Sequence, residues 1–348
     1  LEASASPALT THALTTGYAA RGRPARVVSA ALDLTLSAGE LVCLIGPNGA
    51  GKSTLMRTLA GLQAPISGRV LLRGQDVTTL SPAQIAAQIS LVLTERPPLG
   101  IMTVYELVAL GRLPHTDWSG RLTADDEAAV RWALAAVGGE ALSGRQVDEL
   151  SDGERQKVMI ARALAQGHTL MLLDEPTAFL DLPRRVEVMR LLRRLSREAG
   201  CAVLISTHDL ELALRSADRL WLMAAGGQLH HGTPEDLILT GTFGAVFGAE
   251  GVEFDVQTGA FKLHTAQAAP VGLLNTAADP LIAFWTRRAL ERAGYAVRPE
   301  VALPYSVRLC PAAGERWQVI TPGGATSCPD LAAVLAVLTS FSPKYTFT

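Results

Sequence analysis

Four short stretches of unbroken apolar residues stand out in the first 230 positions: Leu41 to Ile45, Leu170 to Leu173, Ala202 to Ile205 and Leu220 to Met223. A run of four or five apolar residues without alternation suits a strand covered on both faces. Between these runs lie longer segments with helical periodicity. One starts at about Lys52, and another, Arg184 to Ala199, is amphipathic and ends at Gly200. Residues Leu9 to Leu36 alternate loosely around Gly17, Gly22 and Pro24, which predicts strands joined by a turn. Arg69 to Leu72 reads as a further strand. Thr103 to Gln166 is mostly helical; Thr123 is placed to cap the segment that carries Ala128, Val130, Leu134 and Val137 and stops at Gly138-Gly139. Strands alternating with helices predict an α/β fold with a mostly parallel sheet and helices on both sides. The helical stretch from about 96 to 165 interrupts that alternation and reads as an inserted subdomain.

Near residue 250 the pattern changes. Glu253 to Val256 and Phe261 to His264 are spaced to pair as a hairpin across Gln257-Thr258-Gly259. Strands near Val271, Ser306 and Gln318 and helices near Ala283 and Ala332 follow. The expected organisation is therefore a domain over 1–249 and a small α/β domain over 250–348. The Phe284-Trp285-Thr286-Arg287-Arg288 stretch is amphipathic, and Trp285 is expected in the core.

Composition narrows the class. The 348 residues are 48% hydrophobic and carry a formal net charge of -2, without an acidic or basic tail. A large core is possible, and nothing points to nucleic acid or an anionic surface as partner. Cys43, Cys201, Cys310 and Cys328 form no C-x-x-C pair, which speaks against zinc; Cys43 and Cys201, in apolar runs, read as buried thiols. No segment reaches the roughly 20 apolar residues that span a bilayer, and Leu331 to Leu338 reads as a buried helix. No basic stretch followed by an apolar one opens the chain, so no signal peptide is expected.

The chemistry lies where apolar runs end. Gly46-Pro47-Asn48-Gly49-Ala50-Gly51-Lys52-Ser53 fits G-x-x-x-x-G-K-[ST], after a predicted strand and before a predicted helix. Glycines let successive N–H groups point at one anion, and the helix start adds positive potential. Lys52 is placed to reach β- and γ-phosphates and Ser53 to ligate Mg²⁺. The Leu170 strand ends in Asp174-Glu175. Asp174 suits a metal, and Glu175 can polarise an attacking water. Phosphoryl transfer asks for such positioning and charge neutralisation.

These motifs resemble the ATP-binding cassette family over about Thr15 to Gly232. Leu150-Ser151-Asp152-Gly153-Glu154 is similar to its LSGGQ signature, Ala178-Phe179-Leu180-Asp181 to its D-loop and His208 to its switch histidine. Tyr18 matches the aromatic residue that stacks on adenine. The resemblance implies a P-loop NTPase (an ABC ATPase) with an inserted helical subdomain and an antiparallel β subdomain. It implies ATP held by Tyr18 and by Gly46 to Thr54 of one subunit, with Ser151 and Gly153 of another closing over it. Catalysis would fall to Lys52, Glu175 and His208. The signature departs from the family at Asp152 and Glu154, whose charges would repel a triphosphate unless they face away or meet basic neighbours such as Arg155. The Q-loop glutamine is also missing; Thr94 occupies its place beside Glu95 and offers a hydroxyl to Mg²⁺. The arginines at 184, 185, 190, 193, 194 and 197 read as a solvated helix face.

The Met102 to His115 stretch resembles the ATPases of ferric-siderophore, haem and cobalamin importers. The implied protein is a homodimer on the cytoplasmic face of the inner membrane, peripheral to two permease subunits and served indirectly by an extracytoplasmic binding protein. A soluble ABC ATPase without a transporter, or a low-turnover regulatory protein, stays open as an alternative. For residues 250–348 an appendage extending the dimer contact is favoured over a sensing module.

Overall fold

The computed structural model describes residues 7–19, 24–93, 101–117, 120–167, 169–248, 252–256, 259–263, 269–310 and 316–341. Two compact units divide the chain: Leu1–Gly248 with Phe254–Ala260, and Ala249–Glu253 with Phe261–Thr348. A two-stranded hairpin, Val252–Asp255 with Ala260–Leu263, forms where the sequence placed one.

The first unit is built around a six-stranded sheet in the order Leu229–Gly232, Arg219–Met223, Leu41–Ile45, Ala202–Ser206, Leu170–Asp174, Ile89–Val92. Every neighbouring pair is parallel except the Leu229–Gly232 edge. All four apolar runs of the sequence are strands, and those at 41–45 and 202–206 are buried throughout. Successive side chains of a strand face opposite ways, and the packing shows it. Leu41, Cys43 and Ile45 join one core with the helices Val104–Ala109, Ala124–Ala136, Asp152–Gln166 and Leu182–Ala199. Val42 and Leu44 join a second core with the helix Lys52–Leu59 and an antiparallel sheet. That sheet runs Arg26–Leu32, Pro7–Tyr18, Ser67–Leu72, Gln75–Asp76, with Thr35–Ser37 also paired to Pro7–Tyr18. Burial raises both thiols expected in the core: Cys43 rises well above its usual range, and Cys201 to about 12.

Helix ends follow local chemistry. Thr123 accepts from the Asp126 N–H in a capping box, as its position suggested, and Gly200 ends Leu182–Ala199 in the left-handed region. That helix turns its arginines to solvent, except Arg185. Its Nε donates to the Leu180 carbonyl at 2.7 Å, and its Nη1 meets Asp209 at 3.4 Å. The strands not predicted from the sequence include both edges of the six-stranded sheet. Ile89–Val92 contains the buried Ser90, whose hydroxyl donates to the Leu170 carbonyl, and Leu229–Gly232 carries two histidines. Among the described residues no helix is long and apolar enough to cross a membrane.

The second unit has a five-stranded sheet in the order Tyr295–Pro299, Ala269–Leu274, Ser306–Leu309, Trp317–Thr321, Gly324–Cys328, parallel across the first three and antiparallel thereafter. Helices Pro280–Arg292 and Leu331–Phe341 complete its core, where Val334 and Leu338 are buried. Trp285 does not join that core. It is 52% exposed with the Arg288 guanidinium 5.5 Å from its ring centre, because Ala283, Thr286, Ala289 and Leu290 form the buried stripe of its helix. The buried indole is Trp317, whose Nε1 donates to Thr286 Oγ1 at 2.8 Å. Thr286→Val keeps the shape but leaves that N–H without its acceptor. It should destabilise the second unit by about 1–3 kcal/mol, measured by urea unfolding of the full chain against wild type.

Candidate functional site

Gly46 to Gly51 leaves the end of the Leu41–Ile45 strand and turns directly into the Lys52–Leu59 helix. Two of its glycines answer steric needs. A Cβ on Gly46 (φ 155°) would lie 2.2 Å from the Met223 carbonyl oxygen, and one on Gly51 (φ 109°) 2.1 Å from Val28 Cγ1. Gly49 has open space, and its φ of 78° is the reason for a glycine there. Gly51 caps the helix without a side chain, which leaves the first N–H groups for an anion.

Lys52 is 7% exposed and folds back over the loop, donating to the Gly46 carbonyl at 2.8 Å and the Pro47 carbonyl at 3.1 Å. Burial lowers its pKa, while Glu175 and Asp174 pull the other way. The ammonium thus feels both carboxylates, although the strand Ala202–Ser206 separates the two strands that deliver them. Ser53 is exposed at the helix start; Thr54 is buried, with Oγ1 3.0 Å from the Tyr18 hydroxyl. Tyr18, half exposed, ends the Pro7–Tyr18 strand beside the loop.

The other wall comes from the carboxyl ends of two adjacent strands, where ligands of open α/β sheets gather. Glu175 follows Asp174 in the left-handed region (φ 51°), and its Oε1 lies 2.5 Å from His208 Nε2. Ser206, absent from the sequence reading, links the two acids: its hydroxyl donates to Asp174 Oδ1 at 2.5 Å and accepts from the Glu175 N–H at 3.1 Å. Its only sequence signal was its place at the end of an apolar run, two residues before His208. The oxygen donors Ser53 and Asp174 suit Mg²⁺, which takes few protein ligands beside phosphate oxygens. Thr94 and Glu95 lie outside the described residues.

The signature segment opens a helix. Ser151 caps the Asp152–Gln166 helix, and its hydrogen bonds stay local. Gly153 is buried, with room for a Cβ only 3.2 Å from Arg184 Cδ. The basic neighbour of Glu154 is not Arg155. Glu154 accepts from Ser151 and from Arg145 Nη1 at 3.1 Å, which hold its carboxyl below the usual range. Arg155 turns instead to Asp148, at 3.2 Å, because the capping box directs Glu154 back toward Ser151.

A phosphate-binding loop and a pair of carboxylates at the carboxyl ends of parallel strands of one sheet define a P-loop nucleotide-hydrolysing protein. A family model described as ABC transporter matches residues 30–178, and one described as iron ABC transporter C-terminal domain matches residues 273–339. An ABC transporter ATP-binding protein of Methanocaldococcus jannaschii is 41% identical over 237 residues, 68% of this chain and 82% of its own length. The petrobactin import ATP-binding protein of Bacillus anthracis is 39% identical over 66% of this chain and 84% of its own. The iron(3+)-hydroxamate import ATP-binding protein of Bacillus subtilis is 38% identical over 64% and 82%. Among solved structures, the dimeric cassette MJ0796 superposes with a TM-score of 0.55 at 26% identity, covering 65% of this chain and 98% of that one. The ADP conformation of the cassette MJ1267 gives 0.59 at 25% identity, covering 67% and 95%. The chain belongs to the ABC transporter ATP-binding proteins and is an ATPase.

Gly46→Ala should collapse the loop, since the clash falls on a backbone carbonyl that cannot swing aside. Nucleotide titration should show at least about tenfold weaker ATP affinity, with the circular dichroism spectrum unchanged.

Proposed function

We propose that this ATPase energises the import of a metal chelate of the ferric-siderophore, haem or cobalamin type. One observation carries the catalytic part: Lys52, Asp174, Glu175 and His208 lie at or beyond the carboxyl ends of three adjacent parallel strands, where both acids act on the Lys52 ammonium and His208 meets Glu175. The loop Gly46 to Thr54 binds the triphosphate, with Tyr18 against the adenine. Lys52 exchanges its two carbonyl partners for β- and γ-phosphate oxygens. Ser53 and Asp174 would hold Mg²⁺, which would supply charge neutralisation for the triphosphate. Glu175 takes a proton from the attacking water, and His208, whose Nε2 meets the Glu175 carboxylate, steadies the γ-phosphate.

The dimeric mechanism is supported by the likeness of Leu150 to Glu154 to the family signature and by the superposition on a dimeric cassette. In a homodimer Ser151 and Gly153 close over the nucleotide of the second subunit, and closure drives a pair of permease subunits. The importer reading draws on the relatives, two of them named for import of petrobactin and iron(3+)-hydroxamate, and on the iron-type model matched at 273–339. It places the protein at the cytoplasmic face of the inner membrane, with an extracytoplasmic binding protein delivering cargo. Residues 1–249 supply the ATPase domain, with the helical subdomain at about 96–165, and 250–348 an accessory domain.

Glu175→Gln keeps the shape of the side chain and removes the base. It should retain ATP affinity and lose about 10²-fold or more in phosphate release; turnover at the wild-type rate would overturn the assignment. Co-purification of a multi-spanning membrane protein, with loss of ferric-siderophore uptake on gene disruption, tests the importer reading; uptake that survives disruption rejects that cargo class.

A further inference from the structure

Ser206 ends the strand between the loop strand and the Asp174 strand, directly opposite Asp174 in register, and its side chain is wholly buried. Its hydroxyl has one proton and two lone pairs. A backbone N–H can only donate, so the Glu175 N–H must take a lone pair; the proton then goes to Asp174 Oδ1. The direction of this small network is therefore fixed by the chemistry of its members. The Ser206 carbonyl accepts from the same Glu175 N–H at 3.1 Å, so two oxygens of one residue grip it. That grip falls on a glutamate whose φ of 51° is costly for any residue with a side chain. Thr207, the next buried hydroxyl, makes a contrast: it accepts from the Asp209 N–H at 3.0 Å, in its own turn.

We propose that Ser206 is a positioning residue for both carboxylates. Its proton sets the rotation of the Asp174 carboxylate about its own axis, and its oxygen locks the backbone from which the Glu175 side chain reaches His208. The inference rests on the reading of Asp174 as the metal-facing acid and Glu175 as the base.

Ser206→Thr and Ser206→Val form the test. The two side chains have the same shape, so any packing effect of the added methyl is shared, and only the hydroxyl distinguishes them. In the full chain, the affinity for a fluorescent mant-ATP probe is measured with and without Mg²⁺, alongside kcat and KM for ATP. Ser206→Thr should keep both the magnesium-dependent gain in affinity and most of kcat. Ser206→Val should lose about tenfold or more of that gain and of kcat, with metal-free affinity unchanged. Equal behaviour of the two variants would overturn the proposal, because a loss they share belongs to volume and a loss neither shows leaves the hydroxyl idle. Asp174→Asn separates the underlying reading: if it leaves the magnesium gain intact, the assignment of Asp174 fails and takes the proposal with it. If it abolishes the gain while Ser206→Val does not, only the role of Ser206 is rejected.

Discussion

Everything in the first unit depends on the strand Leu41–Ile45 being buried on both faces. A slip of one residue would send Cys43 into the space shaped for Leu44 and reverse every contact on either side. With register fixed against Ala202–Ser206 and Arg219–Met223, the start of the loop at Gly46 is fixed too, tight against the Met223 carbonyl. The hydrophobic effect thus does the work of a ruler. It sets the position of a polar, phosphate-seeking loop by constraining five residues that never meet a ligand.

The same logic explains how carboxylates remote in sequence come to act on one lysine. Parallel strands all end on the same side, so whatever follows them in the chain gathers there. Asp174, Ser206 and His208 come from neighbouring strand ends and Lys52 from the next one over. Burial alone would favour a neutral Lys52, and the two acids oppose that. An ammonium held this way, with two loop carbonyls as its partners, is prepared for stronger acceptors. The Arg145–Glu154–Ser151 cluster is a second case of charge being managed locally, at the start of the Asp152–Gln166 helix.

Much of this was legible in the chain. Unbroken apolar runs identify fully covered strands well, and the glycine spacing before Lys52-Ser53 has few uses other than phosphate binding. What escaped notice has identifiable causes. Ile89–Val92 and Leu229–Gly232 contain serine or histidine, and edge strands tolerate polar residues that an apolar-run criterion rejects. Trp285 was misplaced because size and aromaticity suggest a core, whereas the helix packs through Ala283, Thr286 and Ala289, which let it lie close to the sheet. The pairing of Glu154 with Arg145 rather than Arg155 depends on a capping box that turns the side chain backward, a geometry invisible to sequence proximity. Ser206 looked like an ordinary strand terminus, since nothing local reveals that Asp174, 32 positions away, lies within a hydrogen bond.

The alternation along the central strand has an evolutionary consequence. Its odd positions answer only to the layer of helices, and its even positions only to the antiparallel layer with the loop helix. The sheet therefore insulates two cores from one another, and a volume change tolerated in one need not be compensated in the other. Lineages can remodel the helical layer while the half that packs against the loop helix stays as it is.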